Sequence, residues 1–200
     1  MTVWRQELQE WARGLAGGVP GSAGRKLRAW YYAQALRALG RHAILEAGLE
    51  VIAPERVSIG DEFVALRGCL LCADGGGDIV IGHRVSLATN VMVNAGQQGV
   101  IRIGNGVGLG NNCVLRSSPH NYQDPARPFK SQGHTPGTII IEDDVWVAAN
   151  TTILPGAHLQ HGCVVGSGSV VSGLVKAYSV VAGNPAIHRW LVETLGQAGP

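Results

Sequence analysis

From Ile141 onward an aliphatic residue recurs at every sixth position, through Val147, Ile153, Leu159, Val165 and Val171. The residues four places after these anchors, Val145, Thr151, Ala157, Cys163, Ser169 and Val175, are all small or β-branched. Alternate side chains of an extended chain point the same way, so this second residue, two before the next anchor, shares its side. Each hexad therefore reads as a short strand that turns one aliphatic and one small side chain inward and then bends. Glycines near the bends, at Gly82, Gly104, Gly110, Gly156 and Gly166, supply the backbone freedom. The same step relates Ile103, Leu109 and Leu115, then Ile81, Leu87 and Val93, and more weakly Ile59, Ala65 and Leu71. An internal repeat of this kind takes precedence over local propensity in reading a fold.

The rhythm is broken twice. A hexad expected to begin at residue 121 begins at Ile141, so the excursion 121–140 leaves the repeat, within the stretch SSPHNYQDPARPFKSQGHTPG. That stretch holds four of the nine prolines and two of the seven histidines, with His120 at its root and His134 near its return. Earlier, an anchor expected at residue 99 is found at Ile103, a four-residue slip. Ahead of the repeat, residues 3–15 and 23–39 have helical patterning, divided by the breaker GGVPGSAG. In the second segment Ala29, Tyr32, Ala33, Leu36 and Leu39 form an apolar stripe suited to capping the first coil. Asn184 to Leu195 reads as a short C-terminal helix. The expected organisation is a helical lead-in with a first coil over 1–56, the repeat over 57–183 and a C-terminal helix and tail over 184–200.

This pattern resembles the hexapeptide-repeat acyltransferases, over roughly residues 57–183. The resemblance implies a mainly β fold, a left-handed parallel β-helix in which three hexads close one triangular coil, with N-terminal helices and a short C-terminal helix. About five coils at about 4.8 Å per layer would make a prism roughly 25 Å long.

Composition narrows the classes. With 200 residues, 46% hydrophobic and 15% charged, the chain can bury a core as one domain. A formal charge of +2 argues against nucleic-acid binding. Arg25 to Arg41 nevertheless carries five basic residues and no acid, so a second reading of residues 23–41 is peripheral contact with a membrane surface or partner. No run of 18 apolar residues and no signal-peptide pattern occurs, so the expected location is cytoplasmic, at most peripheral at the inner membrane face. Cys113 and Cys163 fall on small inward positions, as Cys69 does if Ala65 is an anchor, so Cys69-Leu70-Leu71-Cys72 reads as core rather than a redox pair. The glycines of GNGVGLG at 104–110 likewise fall at bends, and no helix follows to make them a nucleotide loop.

The chemistry is expected where the repeat is left. SSPHNYQDP, followed by GTIIIEDDVWVAANTTILPGAHLQHGCVVGSGSVVSGLVKAYSVVAGNPA, is similar to the sugar O-acetyltransferase branch of the family, as is the lead-in VPGSAGRKLRAWYY. The resemblance implies acetyl-CoA as donor, a saccharide hydroxyl as acceptor in bacterial polysaccharide or lipopolysaccharide biosynthesis, and His120 as the catalytic base. Chemistry supports this independently, since imidazole titrates near neutral pH and can take a hydroxyl proton as attack proceeds. Ser117 and Ser118 lack a G-x-S-x-G elbow, which argues for direct transfer without an acyl-enzyme. By resemblance, Ala149 offers a backbone amide to the carbonyl oxygen, and Ala149, Ser167 and Ser172 line the pantetheine arm. Trp146 is expected to pack under the excursion, or else to line the thioester channel. Lys176 and Arg189 are candidates for the coenzyme phosphates, although the family's NPAK ending reads NPAI here, with Ile187 for the lysine. Asn90 and Tyr122 are acceptor candidates, and Asp124 a candidate for orienting His120. The family assembles as a homotrimer with sites between prisms, which makes a homotrimer the implied state, and no metal is required. Rival readings are N-acetylation of an amino sugar, acetylation of an antibiotic, a zinc carbonic anhydrase using His158 and His161, and a non-catalytic scaffold.

Overall fold

A computed structural model describes residues 17–191, with isolated positions at 7, 11 and 14. The chain winds into a solenoid of three parallel sheets, designated faces A, B and C. Face A stacks seven strands, from Ala38–Leu39 to Leu174–Val175. Face B runs from Ile44–Leu45 to Ser179–Ala182, and face C stacks six strands from Glu50–Ile52 to Val170–Val171. Anchor residues from the three faces meet on the axis and are almost wholly buried, Leu71, Leu87, Ile153 and Val165 among them. The small positions are buried beside them: Cys69, Cys113 and Cys163 are free thiols in the core, as the repeat predicts. Burial pushes the Cys163 thiol up to about 12, so it stays neutral and inert.

The register keeps a strict account of length. From face A to B, and from B to C, anchors are always six residues apart, as in Ile81, Leu87 and Val93. All variation falls at the third corner, from C to the next A: Val51 to Ile59, Leu71 to Ile81, Val93 to Ile103 and Leu115 to Ile141 exceed six residues, and Val171 to Val175 falls short of it. The excursion thus has smaller companions on the same edge in the preceding coils, of which sequence reading sees only the slip before Ile103.

The other two corners admit no such freedom, because each turns through one left-handed residue. At the A–B corner these include Glu62, Arg84 and Asp144, and at the B–C corner Asn90, Asn112 and Asn150. Asparagine tolerates that conformation better than most residues. Here it also bonds along the stack, Asn90 Nδ2 to Asn112 Oδ1 at 3.3 Å and Asn112 Nδ2 to Asn150 Oδ1 at 3.1 Å. A second ladder at the A–B corner has each side chain accept a backbone N–H of the coil before it: Asp61 from Arg41, His83 from Asp61, Asn105 from His83 and Asp143 from Asn105.

The expected helix over 23–39 is the helix Gly21–Ala35. It ends sooner because Leu36 turns extended, with φ −72° and ψ 152°, to lead into the first strand. Its buried face is Gly24, Arg28 and Tyr32 with Leu36, and Ala33 of the expected stripe is exposed. The reason is polar. The first coil has no coil before it, and Arg28 Nε donates to Leu45 O at 2.7 Å while Tyr32 Oη donates to Leu49 O at 3.1 Å. Burial lowers the Arg28 pKa against the opposing pull of Glu46.

Four of the five cations in 25–41 are engaged with the prism: Arg28 as above, Arg25 with Glu46, Arg37 with Asp78 and Arg41 with Asp61. The first expected helix, 3–15, lies almost entirely outside the described residues.

The C-terminal helix is not formed where it can be described. Ile187–Leu191 is a strand that folds back antiparallel on Ser179–Ala182, so the last parallel strand of face B does not end the sheet. An uncovered last strand leaves unpaired backbone groups, and this requirement outweighs the helical patterning read from Asn184. Residues 192–200 lie outside the described set.

At the C–A edge, Gly77 is packed so closely that a Cβ would stand 1.9 Å from Ala95 O. Gly77→Ala should cost about 1–3 kcal/mol, the range for overpacking, seen as a lower midpoint in urea unfolding. An unchanged midpoint would mean that the edge is loosely packed.

Candidate active site

The insertions at the C–A edge stack into a ledge. Gln97 N donates to Asp74 O at 2.9 Å and Gln98 N to Gly75 O at 3.1 Å, so segment 95–99 repeats the course of 73–77. The excursion rests on this ledge through Ser118 Oγ, which donates to Gln97 O at 3.0 Å. Ser117 and Ser118 are both buried, Ser117 against Gly99 and Ser118 in that bond, so neither hydroxyl is presented as a nucleophile.

Beyond Ser118 the chain forms a closed hairpin-like loop. Asn121 N donates to Gly133 O and Thr135 N to Pro119 O, while Gln132 Nε2 donates to the carbonyls of Asp124 and Arg127. Asp124, expected to orient His120, instead accepts Ala126 N at 2.9 Å as a turn residue. Tyr122 is 74% exposed and lies outside the cavity lining.

His120 and His134 face each other across the neck of this loop as an antiparallel bridge. Their rings lie 3.9 Å apart, tilted by 38°, and Phe129 meets His120 edge-on at 5.5 Å. His134 Nδ1 lies 3.3 Å from Ser118 O, which fixes its ring. Among the described residues neither ring nitrogen of His120 has a protein partner. Read from sequence, His134 is a loop residue near the return of the excursion; its pairing joins residues across the loop and leaves no periodic signal, though two histidines bracketing one excursion are a cue.

The two rings close one side of a cavity of about 250 Å³. Its floor comes from face C, where Cys72, Asn94 and Arg116 occupy one column in successive coils. Asp74, Gly96 and Ser118 form the column two residues on. Asn94 Oδ1 accepts Gly96 N at 3.0 Å, which leaves its Nδ2 available. Asn94, rather than Asn90, is the asparagine of this cavity. Asn90 is Leu87 plus three, a corner position held in its ladder, whereas Asn94 directly follows the anchor Val93, as Arg116 follows Leu115. Counting from anchors would have told the two apart.

His120 has its pKa lowered, first by loss of solvation beneath the loop, then by the positive charge available to His134 and by Arg116 and Lys130. The neutral imidazole, able to take a proton, therefore persists below the usual histidine range.

The remaining sequence candidates lie elsewhere on the prism. Trp146 stands on face B, 58% exposed, over Gly108, and does not pack under the excursion of its own chain. Ala149 and Ser167 are at the B–C corner, and among the described residues the Ala149 N–H donates to no protein acceptor. Ser172 and Lys176 line a second cavity, of about 450 Å³, between the last coil and the strand Ile187–Leu191, with His188 opposite. Arg189 lies beside Gly183. The His158 ring turns to Glu142, with Nε2 at 2.6 Å from Oε1, whereas His161 meets Glu142 only through its backbone N–H, which donates to Oε2 at 2.9 Å, and its ring packs edge-on against Tyr178 at 5.3 Å.

Comparison with known proteins agrees with this architecture. Residues 138–173 match the bacterial transferase hexapeptide (six repeats) family. A "probable acetyltransferase" of Mycobacterium tuberculosis is 31% identical over 110 residues, 55% of this chain and 36% of that protein. The chain thus spans about a third of that relative's length. WbbJ of Escherichia coli, which bears the name of a lipopolysaccharide biosynthesis O-acetyl transferase, is 28% identical over 147 residues, 69% of this chain and 74% of WbbJ. Among solved structures, a mutant of the N-acyltransferase AntD of Bacillus cereus, in complex with dTDP-4-amino-4,6-dideoxyglucose and coenzyme A, superposes with a TM-score of 0.70 at 17% identity, covering 82% of this chain and 90% of that one. Residues 138–173 thus carry the repeat of the bacterial hexapeptide transferases, and the solenoid has the same fold as that N-acyltransferase.

Removing the imidazole opposite His120 takes away both a positive charge and part of its shielding. His134→Gln should therefore raise the His120 pKa toward the ordinary value, moving its NMR titration to higher pH. A titration that stays in place or falls would show that His134 does not act on His120.

Proposed function

We propose that this protein is an acyl-CoA-dependent acyltransferase that transfers an acetyl group to a sugar hydroxyl, in polysaccharide or lipopolysaccharide biosynthesis, with His120 as general base. The observation that carries the reading is His120 itself: an imidazole with depressed pKa and unbonded nitrogens, on a polar cavity at the one edge where the solenoid departs from its repeat. The likeness to WbbJ supports a saccharide acceptor.

Coenzyme A, when bound, presents the acyl group as a thioester. The residues present suit it: Lys176, His188 and Arg189 bring cationic or protonatable groups to the last coils for phosphates, and Ala149 has a free N–H for the carbonyl oxygen. His120 takes the acceptor's hydroxyl proton as that oxygen attacks the carbonyl carbon, and returns a proton to the departing sulfur. Transfer is direct, since Ser117 and Ser118 are unavailable.

Within one chain, His120 stands on the C–A edge while Trp146, Ala149 and Ser167 lie on face B and the B–C corner. This separation supports a site completed between two copies, in keeping with a homotrimer. Amino acceptors form the second reading, because the cavity also holds the Asp74 carboxylate, which could hold an ammonium group.

His120→Ala should lower kcat for coenzyme A release from acetyl-CoA plus a saccharide acceptor by about 10²–10⁴-fold, with the KM for acetyl-CoA little changed. Turnover equal to the parent's would remove His120 from the base role.

A further inference from the structure

The cavity beside His120 has a cation that no ion pair among the described residues neutralises. Arg116 is half-buried on its floor, and among the described residues no carboxylate lies within ion-pair reach of its guanidinium, nor does it donate to any protein acceptor. Arginines that merely hold the prism together behave otherwise: Arg37 and Arg102 share Asp78, and Arg25 takes Glu46. Asp74, the one carboxylate in the lining, makes no ion pair with Arg116. Its Oδ1 accepts the Cys72 thiol at 3.3 Å and lies where a Cβ on Gly96 would stand 2.2 Å away. By register it belongs to the coil two layers from Arg116, with Asn94 between, roughly 9–10 Å along the stack.

A guanidinium that lines a cavity without a protein partner is free to meet a ligand there. The planar fork of arginine suits carboxylate and phosphate oxygens, which it can bind in pairs. Arg116 lies four residues before His120 and is close enough to depress its pKa. An anion on Arg116 would therefore sit next to the hydroxyl presented to the imidazole.

We infer that Arg116 sets acceptor specificity, and that the acceptor is an acidic saccharide whose carboxylate or phosphate pairs with Arg116 while a nearby hydroxyl meets His120. This rests on the acyltransferase reading for the hydroxyl's fate, but the anion site stands on the cavity alone. Asn94 Nδ2 and the Asp74 carboxylate then meet the neutral hydroxyls of the ring, one as donor and the other as acceptor.

The test is binding of glucuronic acid, glucose 6-phosphate and glucose to the full chain, followed by the His120 imidazole signals in NMR. Either acidic sugar should bind at least about tenfold more tightly than glucose, the size of one charge-assisted pair. The carboxylate and phosphate arms distinguish which anion the site prefers. Arg116→Gln should abolish the preference and Arg116→Lys should restore part of it, since lysine keeps the charge and loses the fork. The inference is overturned if neither acidic sugar binds more tightly than glucose, or if Arg116→Gln keeps the preference. It is also overturned if that variant weakens acetyl-CoA binding instead. Failure of the acyltransferase reading would look different, as binding that follows Arg116 without thiol release from acetyl-CoA by any acceptor.

Discussion

The backbone hydrogen bonds between successive coils set the terms for everything else in this molecule. Each strand pairs in parallel with its counterpart one coil away, so a residue at a given place in one coil lies directly over the residue at that place in the next. Stacking of like on like forces the core to alternate aliphatic and small side chains, and lets corner asparagines bond along the axis from Asn90 to Asn150. It also leaves open ends, which the chain closes with unlike devices. Arg28 and Tyr32 donate to carbonyls of the first coil, and the strand Ile187–Leu191 folds back over the last strand of face B.

The same ladder explains where function can be placed. Two corners turn through one left-handed residue and admit no change of length, whereas the C–A corner carries every insertion. Segments 73–77 and 95–99 form a ledge, and the excursion built on it brings His120 against His134. A prism whose interior is filled thus gains a polar cavity by adding residues to one edge. The floor of that cavity is still dictated by the repeat, because Cys72, Asn94 and Arg116 are in column as a consequence of register. Arg116 on the cavity floor and His120 at its side come from the same five residues of chain.

What the sequence discloses is what the period dictates. The hexad anchors, the buried cysteines and the position of His120 at the root of the excursion all follow from counting, and the structure has them in those places. Contacts that no period specifies were not legible. Asp124 serves its own turn at Ala126, Trp146 lies open on face B, and the lead-in helix adds the buried Arg28 to the Tyr32 and Leu36 of its apolar stripe. The helical pattern after Asn184 was overruled by the sheet's need for a last partner. Asn90 and Asn94 show how narrow the margin is: both belong to one hexad coil, yet one is a corner and the other opens on the cavity.

The central claim is that the excursion carries chemistry and the hexads carry the fold. Excising residues 118–137 would bring Leu115 to Ile141 down to the six-residue spacing of a plain coil. Circular dichroism and urea unfolding should then show an intact solenoid of similar stability, while coenzyme A release from acetyl-CoA in the presence of saccharide acceptors is lost. Retention of that activity, or collapse of the solenoid, would contradict the account.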